Sequence, residues 1–176
     1  MFNEIEVEIL RALIEYDDMA GSLTWRKRPK SIESPGWNAR YAGKKALNIT
    51  DDKGYLHGRV LGKNIKAHRA AWAIYHGEWP ENLIDHVNGS RCDNRIINLR
   101  SANLSENNRN RRSNKNSTSS YLGVHWNSRD FAWEAQINNG NKILRLGKFE
   151  FEVDAALAYD AACTNIHGNF ANPNFK

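Results

Sequence analysis

Cysteine is scarce in this chain. Cys92 and Cys163 are the only two among 176 residues, and no Cys-x-x-Cys pair occurs. This scarcity excludes a disulfide-dense scaffold and a zinc site built from cysteine pairs, so no structural zinc is expected. Two cysteines far apart in sequence are typical of a protein in a reducing compartment, where thiols stay free. We therefore expect a cytoplasmic location.

Long apolar runs are also absent. No stretch approaches the ~20 apolar residues that a bilayer-spanning helix needs, and the acidic start of the chain lacks the basic flank of a signal peptide. The chain is therefore expected to be soluble, with no membrane partner. A chain of 176 residues can hold one ordinary domain or two small ones, and its 40% apolar residues are enough for folded cores.

The charge is distributed unevenly along the chain. The formal net charge is +5, yet residues 1–18 contain six acidic residues against one arginine. Residues 91–115, by contrast, contain seven Lys or Arg against two acidic residues. A basic block of this kind is typical of a surface that binds a phosphate backbone, and a solvated charged face is the structural alternative. Its position beside the polar motif at 83–108 favours nucleic acid.

That polar motif is the most informative part of the sequence. It opens with the short apolar run Leu83-Ile84, which is followed directly by Asp85 and His86. Asn88-Gly89 comes next, a dipeptide that tolerates positive φ and favours a tight reversal. The pattern predicts a short strand that delivers an acid and an imidazole to a turn.

The second half of the motif predicts a return and a helix. Residues 96–99 form a second apolar run, which predicts the returning strand. Asn103 and Glu106 have the spacing of a capping box, which predicts a helix that starts there and continues to Arg112. Strand, loop, strand and helix thus follow one another closely.

The residue types in this motif suit metal-assisted phosphodiester cleavage. Asp85 offers a carboxylate oxygen and Asn107 an amide oxygen, both of which Mg²⁺ prefers. His86 titrates near neutrality and can take a proton from an attacking water. Adjacent strand residues point to opposite faces, so Asp85 and His86 can share one site only if the strand ends or twists there. The structural alternative is an Asp–His pair in an ordinary surface turn.

Several positions of the motif match a known family at fixed spacing. They are Asp85-His86-Val-Asn-Gly89, Asp93-Asn94-Arg95, Asn98-Leu99-Arg100 and Ser105-Glu106-Asn107-Asn108. Together they resemble the HNH nucleases, specifically phage-type homing endonucleases with a ββα-metal core. The resemblance implies that His86 is the general base and that Asn98 braces the hairpin loop and orients His86. It also implies that Asp85 and Asn107 hold a single Mg²⁺ (or Mn²⁺), with Asn107 in a position that is often His in the family.

The basic side chains around this motif are expected to position the DNA backbone without reading sequence. These residues are Arg91, Arg95, Arg109, Arg111 and Arg112.

The segment before the motif predicts a small α/β extension. Apolar residues recur at helical spacing over residues 3–16, which predicts a packing helix. A short strand at 22–26 and a hairpin at 54–65 follow, and residues 67–75 predict a helix closed by Gly77. We interpret His68 on that helix as structural. The basic run 26–30 fits a phosphate contact and an exposed loop equally well.

The C-terminal part has a different pattern. Apolar and polar residues alternate at 124–127, 133–138 and 143–147, and an alanine-rich helical pattern follows at 153–167. These features predict three antiparallel strands, with one apolar and one polar face, covered by one helix. The matching motifs are Tyr121-Leu-Gly-Val124, Leu146-Gly-Lys-Phe149, Ala155-Ala-Leu-Ala-Tyr-Asp160 and Gly168-Asn-Phe-Ala-Asn-Pro-Asn-Phe175.

Essentially all of residues 121–176 resemble the DNA-binding domain of plant ethylene-response factors. The resemblance implies that the polar face of the sheet contacts duplex DNA. The positions it assigns to that contact are His125, Asn127, Arg129, Asn138 and Arg145. Several family arginines and a tryptophan are replaced here, so the plant target sequence is not implied. A protein-interaction module is the alternative.

These patterns predict an α+β protein. Its expected parts are an extension (1–65), an HNH core (66–112), a basic polar linker (113–120) and the DNA-binding domain (121–176). The expected function is metal-dependent, site-specific DNA cleavage of the homing type, leaving 5′-phosphate and 3′-hydroxyl ends. The enzyme is expected to be a monomer or weak dimer, in a host cell if phage-encoded.

Three questions are left open by the sequence. Cleavage of one strand and of both strands fit it equally well. A catalytically inactive, sequence-specific DNA-binding regulator is the alternative function. An RNA substrate is a third hypothesis, because neither charge nor fold distinguishes it.

Overall fold

The structure, a computed structural model, describes residues 4–31, 34–109, 117–140 and 142–175. The chain divides into two units, Met1–Asn103 and Leu104–Lys176. Both units combine helices with small antiparallel sheets, which confirms the predicted α+β class.

The first unit contains three helices and seven strands among its described residues. In chain order they are α1 (Val7–Leu13), β1 (Ile14–Asp17), β2 (Ser22–Trp25), α2 (Trp37–Tyr41), β3 (Ile49–Thr50), β4 (Leu56–Val60), β5 (Lys63–Lys66), α3 (Ala67–His76), β6 (Leu83–His86) and β7 (Leu99–Ala102), with a 3₁₀ turn at Ile96–Asn98 between the last two strands. The strands form the hairpin β1–β2, the sheet β3–β4–β5 and the hairpin β6–β7.

The helix predicted over residues 3–16 is shorter than expected. It covers only Val7–Leu13, and Tyr16 lies on β1, which pairs with β2. The reason is the turn that follows, where the Asp17 carboxylate accepts hydrogen bonds from the amides of Met19 and Ala20. That turn reverses the chain and lets Ile14–Asp17 pair with Ser22–Trp25, so strand pairing overrides the helical spacing.

Helix α3 packs closely against the rest of the unit because its inner residues are small. Ala67, Ala70, Ala71 and Ala73 are all buried. The helix ends at Gly77, whose φ of +85° is favourable for glycine. The predicted helix at 67–75 and its C-terminal glycine are thus confirmed, as is the hairpin made by β4 and β5.

The β6–β7 hairpin differs in detail from its prediction. The returning strand begins at Leu99, and residues Ile96–Asn98 form a 3₁₀ turn instead of strand. Ile97 is 84% exposed, and the Asn98 side chain is directed into the loop of the hairpin. The apolar run at 96–99 is therefore not one strand, because Asn98 serves the loop.

The second unit has the predicted sheet and helix. Its elements are α4 (Leu104–Arg109), β8 (Val124–Asn127), β9 (Ala132–Asn139), β10 (Lys142–Phe149) and α5 (Glu152–His167), followed by a 3₁₀ turn at Gly168–Phe170. The sheet order is β10–β9–β8, all antiparallel, with a register shift between Arg145 and Gly147.

Helix α5 covers the apolar face of this sheet. Its buried Ala155 and Ala156 pack with Val124 and Ala135, and Tyr159 and Cys163 pack with Ile137. These small side chains allow the helix to approach the sheet closely. Among the described residues no helix is long and apolar enough to cross a membrane.

Candidate active site

Asp85 and His86 are the last two residues of β6 and are almost fully buried. Their exposed fractions are 6% and 3%. The strand ends at His86, as expected, and Gly89 closes the turn with a φ of +71°, its backbone N–H donating a hydrogen bond to the His86 carbonyl. Two ionisable side chains so deeply buried need partners.

The partner of Asp85 lies directly across the hairpin. Arg100 on β7 is its cross-strand neighbour, and the guanidinium Nε and Nη2 donate to Asp85 Oδ2 at 2.9 and 2.7 Å. Both side chains are largely buried, so this is a charge-assisted contact that is shielded from solvent. The pair fixes the direction of the Asp85 carboxylate.

His86 is held by a different group of residues. Its Nε2 lies 3.1 Å from Asn94 Oδ1, and Asn94 is itself only 2% exposed. Asn94 was not among the predicted site residues, although it stands within the Asp93-Asn94-Arg95 motif. Only the three-dimensional return of the 88–95 loop towards β6 shows that its side chain reaches the imidazole.

Two aromatic rings pack on the His86 imidazole. His68 on α3 lies edge-on at 5.2 Å between ring centroids, and Tyr55 lies at 5.9 Å. Burial lowers the pKa of His86 below its usual 6.5, although the bond to Asn94 and the charge of Asp85 act in the opposite direction. The His86 imidazole is therefore neutral near pH 7.

His68 belongs to the same cluster as His86. Burial, and secondarily the neighbouring His86, lower the pKa of His68 to about 3. Its Nδ1 is buried and makes no hydrogen bond to any residue that the structure describes. The His68 ring acts here as a neutral packing surface against His86.

Asn98 is placed at the base of the hairpin loop. Its Oδ1 accepts from the Asn88 amide at 2.9 Å, and its Nδ2 donates to the Asp93 carbonyl at 2.7 Å. The side chain thus connects the two ends of the loop that separates His86 from the 3₁₀ turn. It holds the segment that carries Asn94.

The predicted backbone-binding arginines near this loop have partners within the protein. Arg95 donates from Nε and Nη2 to the two carboxylate oxygens of Asp93 at 2.8 and 2.6 Å, which lowers the pKa of Asp93 to about 2. Arg91 donates to the Lys53 carbonyl at 2.5 Å and lies over the Tyr55 ring. Arg91 therefore joins the loop to the β3–β4 turn.

The remaining predicted residues around the motif lie on or beyond α4. Asn107 is on α4 in the second unit and is half-buried. The backbone of Arg109 closes α4, and Arg111 and Arg112 lie outside the described residues. Within the residues that the structure describes, no group of three or more His, Cys, Asp or Glu is placed to hold a metal ion.

The polar face of the second unit contains the predicted DNA-contact residues together with acidic partners. His125 Nε2 lies 3.3 Å from Glu134 Oε2, and Asn127 Nδ2 donates to Glu134 Oε1 at 2.7 Å. That bond from Asn127, more than any other contact, lowers the pKa of Glu134. Lys148 pairs with Asp130 at 2.6 Å. The polar side chains at this end of the face are therefore already paired with one another.

The other three predicted contacts are more exposed. Arg129 lies in the turn after β8, where its amide donates to Asn127 Oδ1. Arg145 and Asn138 are exposed on β10 and β9, opposite Gln136 and Ile143 respectively. Arg145 and Asn138 thus occupy the part of the face away from Glu134.

Comparison with known proteins supports the interpretation of the first motif. Residues 66–109 match the model of a family described as HNH endonuclease. The matched range contains Asp85, His86, Asn94 and Asn98, which the structure brings together, as well as Asn107. No curated protein matches the chain. Residues 66–109, less than half of the chain, are therefore similar to an HNH endonuclease domain.

Proposed function

We propose that this protein is a metal-dependent DNA endonuclease of the homing type in which His86 is the general base. The observation that carries the proposal is the buried imidazole of His86, held through Nε2 by Asn94 within the segment that matches the HNH endonuclease family. A base needs a fixed orientation and a neutral state, and this arrangement supports both.

The contact with Asn94 supports Nδ1 of His86 as the basic nitrogen. An amide oxygen can only accept, so the hydrogen lies on His86 Nε2 and the lone pair of the neutral ring lies on Nδ1. In the proposed reaction Nδ1 takes the proton of the attacking water. The water oxygen attacks phosphorus, the bond from phosphorus to the 3′ oxygen breaks, and the leaving 3′ oxygen takes a proton from solvent water. The products then carry a 5′ phosphate and a 3′ hydroxyl.

Asp85 and Asn107 are the residues proposed to hold one Mg²⁺ (or Mn²⁺). A carboxylate and an amide oxygen fit this ion by donor type, and water and phosphate oxygens can fill its remaining positions. When bound, the ion supplies electrostatic stabilisation of charge that develops on the phosphate and the leaving oxygen. Arg100 holds Asp85 Oδ2 and so fixes the orientation of the carboxylate.

DNA binding is proposed for both parts of the chain. Arg91, Arg95, Arg109, Arg111 and Arg112 would contact the backbone beside the active site. The second unit would act as a targeting domain of the ethylene-response-factor type, which its three-stranded sheet and covering helix support. Its exposed Arg145 and Asn138 are the foremost candidates for DNA contact, because the acidic partners lie elsewhere on that face.

One observation favours the alternative function, a DNA-binding regulator without catalysis. The carboxylate of Asp85 already has a cationic partner in Arg100, as a retired metal ligand would. Supercoiled plasmid incubated with the protein in Mg²⁺ or in EDTA distinguishes the two functions. Nicked or linear product in Mg²⁺ alone supports the nuclease, whereas retarded but intact plasmid in both supports the regulator. Competition with duplex RNA tests the substrate class in the same assay.

A further inference from the structure

The loop that carries Asn94 is held in place by the N-terminal hairpin β1–β2. The Tyr16 hydroxyl on β1 donates to the backbone carbonyl of Asn94 at 2.6 Å. Asn94 in turn holds His86 through its side chain at 3.1 Å. One residue therefore connects the N-terminal hairpin to the imidazole through two successive hydrogen bonds.

Arg95 and Ile96, the two residues that follow Asn94, are held by the same hairpin. The Ile96 amide donates to the Asp18 carbonyl at 3.2 Å. Gly21 lies so close that a Cβ added there would meet the Arg95 backbone nitrogen at 2.4 Å. Residues 94, 95 and 96 are thus each fixed by the turn region of β1–β2, and the position of the Asn94 side chain depends on it.

Tyr16 also contacts the strand that carries His86. Its ring packs on the buried cluster of Ala71, Ile84 and Leu99, of which Ile84 is on β6 and Leu99 on β7. Burial, followed by the charge of Asp18, raises the pKa of Tyr16 above its usual 10, so the hydroxyl remains a donor over the working pH range. Packing of the Tyr16 ring sets the position of its hydroxyl, and the hydrogen bond of the hydroxyl holds the Asn94 backbone.

We propose that Tyr16 is a positioning residue for His86, and that it acts through Asn94. This inference rests on the proposed nuclease function, and it extends the active site beyond the segment matched to the HNH endonuclease family, residues 66–109. The N-terminal segment is then part of the catalytic unit. A purely structural role for Tyr16 would predict reduced stability but an unchanged rate per folded molecule.

The first test is the cleavage rate of Tyr16→Phe, which retains the ring and removes the hydroxyl. With supercoiled plasmid and Mg²⁺, we expect kcat to fall about tenfold, the effect of one lost positioning hydrogen bond, with KM unchanged. Tyr41→Phe on α2 is the control, since Tyr41 is 39% exposed and packs on Trp37 outside the Tyr16 cluster, and should leave both constants unchanged. A wild-type kcat for folded Tyr16→Phe, or an effect on KM alone, would overturn the proposal.

The second test asks whether the effect passes through Asn94. In an Asn94→Ala background, which keeps the backbone carbonyl but removes the contact with His86, Tyr16→Phe should have little further effect on kcat. Full additivity of the two changes would show that Tyr16 acts by another route and would overturn the proposed connection.

A third test does not depend on activity. In ¹⁵N-histidine NMR of the full chain, with the His86 signals assigned by their loss in His86→Ala, the wild type should show the tautomer with hydrogen on Nε2. Tyr16→Phe should shift His86 towards a mixture of the two tautomers, and Tyr41→Phe should not. An unchanged His86 tautomer in Tyr16→Phe contradicts the proposal. If plasmid is never cut, the nuclease function fails, while this measurement still decides the positioning.

Discussion

Arg100 reaches across the β6–β7 hairpin and places its Nε and Nη2 at 2.9 and 2.7 Å from the same carboxylate oxygen of Asp85. The pair is shielded from solvent, and Asp85 is 6% exposed. Removal of Arg100 would leave a buried carboxylate without its main counter-charge. A cation bound to Asp85 could replace that charge. The loss of stability without Arg100 and its recovery with Mg²⁺ can therefore be measured on the same variant.

Arg100→Ala should therefore lower the free energy of unfolding by about 3–5 kcal/mol in EDTA, the cost of breaking a buried ion pair. Mg²⁺ should then raise the melting temperature of Arg100→Ala more than that of the wild type. Arg59→Ala, at an exposed arginine on β4, is the matched control and should change neither quantity. An identical Mg²⁺ shift in the wild type and in Arg100→Ala would argue against Asp85 as a metal ligand.

The pKa of His86 sets the expected pH dependence of cleavage. Burial lowers this pKa below the usual 6.5. At pH 6.5 and above the imidazole is therefore mostly neutral and can accept a proton. We expect kcat/KM to rise with pH and to reach half of its plateau below pH 6.5. A midpoint above pH 7 in single-turnover cleavage would contradict the assignment of a buried neutral base.

His68 should make the folded protein sensitive to acid. Its pKa is about 3 in the folded state and near 6.5 in an unfolded chain, so the unfolded state binds more protons between these values. The stability contributed by neutral His68 is thus complete above pH 6.5 and falls as the pH falls towards 3. Urea unfolding at pH 7 and pH 5 should show a smaller loss of stability in His68→Phe than in the wild type. An equal loss in both proteins would exclude this explanation.

The polar face of the C-terminal sheet contains residues of two kinds. Arg145 is exposed opposite Gln136, whereas Lys148 is paired with Asp130 and lies 3.8 Å from Glu134. Arg145→Ala should therefore weaken DNA binding and reduce the slope of log affinity against log salt by about 1, if Arg145 contacts a phosphate. Lys148→Ala should have the smaller effect. A larger loss of DNA affinity in Lys148→Ala than in Arg145→Ala would place the DNA contact at the other end of the face.

Much of the fold could be predicted from sequence because it rests on local patterns. The alanine-rich faces of α3 and α5, the alternation in β8 to β10 and the reversal at Asn88-Gly89 each specify their own element. Tyr16 is an exception to these local patterns. Its spacing fits a helix, yet the Asp17 turn and pairing with Leu23 place it on a strand.

The site itself was only partly predictable. Residue type and spacing indicate Asp85 and His86, the family resemblance implies Asn98, and the structure brings these three to one hairpin. Asn94 was missed because a loop side chain becomes important only when the loop returns to the imidazole, which no local pattern encodes. The same holds for Arg100, whose role depends on the register that sets it opposite Asp85.

The role of His86 as general base is tested by comparing the wild type with His86→Ala on supercoiled plasmid in Mg²⁺, together with DNA affinity measured in EDTA. His76→Ala, at an exposed histidine at the end of α3, serves as the control. If His86 is the general base, His86→Ala should lose at least about 100-fold in cleavage rate, the usual contribution of such a base, and keep nearly wild-type affinity. Cleavage by His86→Ala at the wild-type rate would contradict this role.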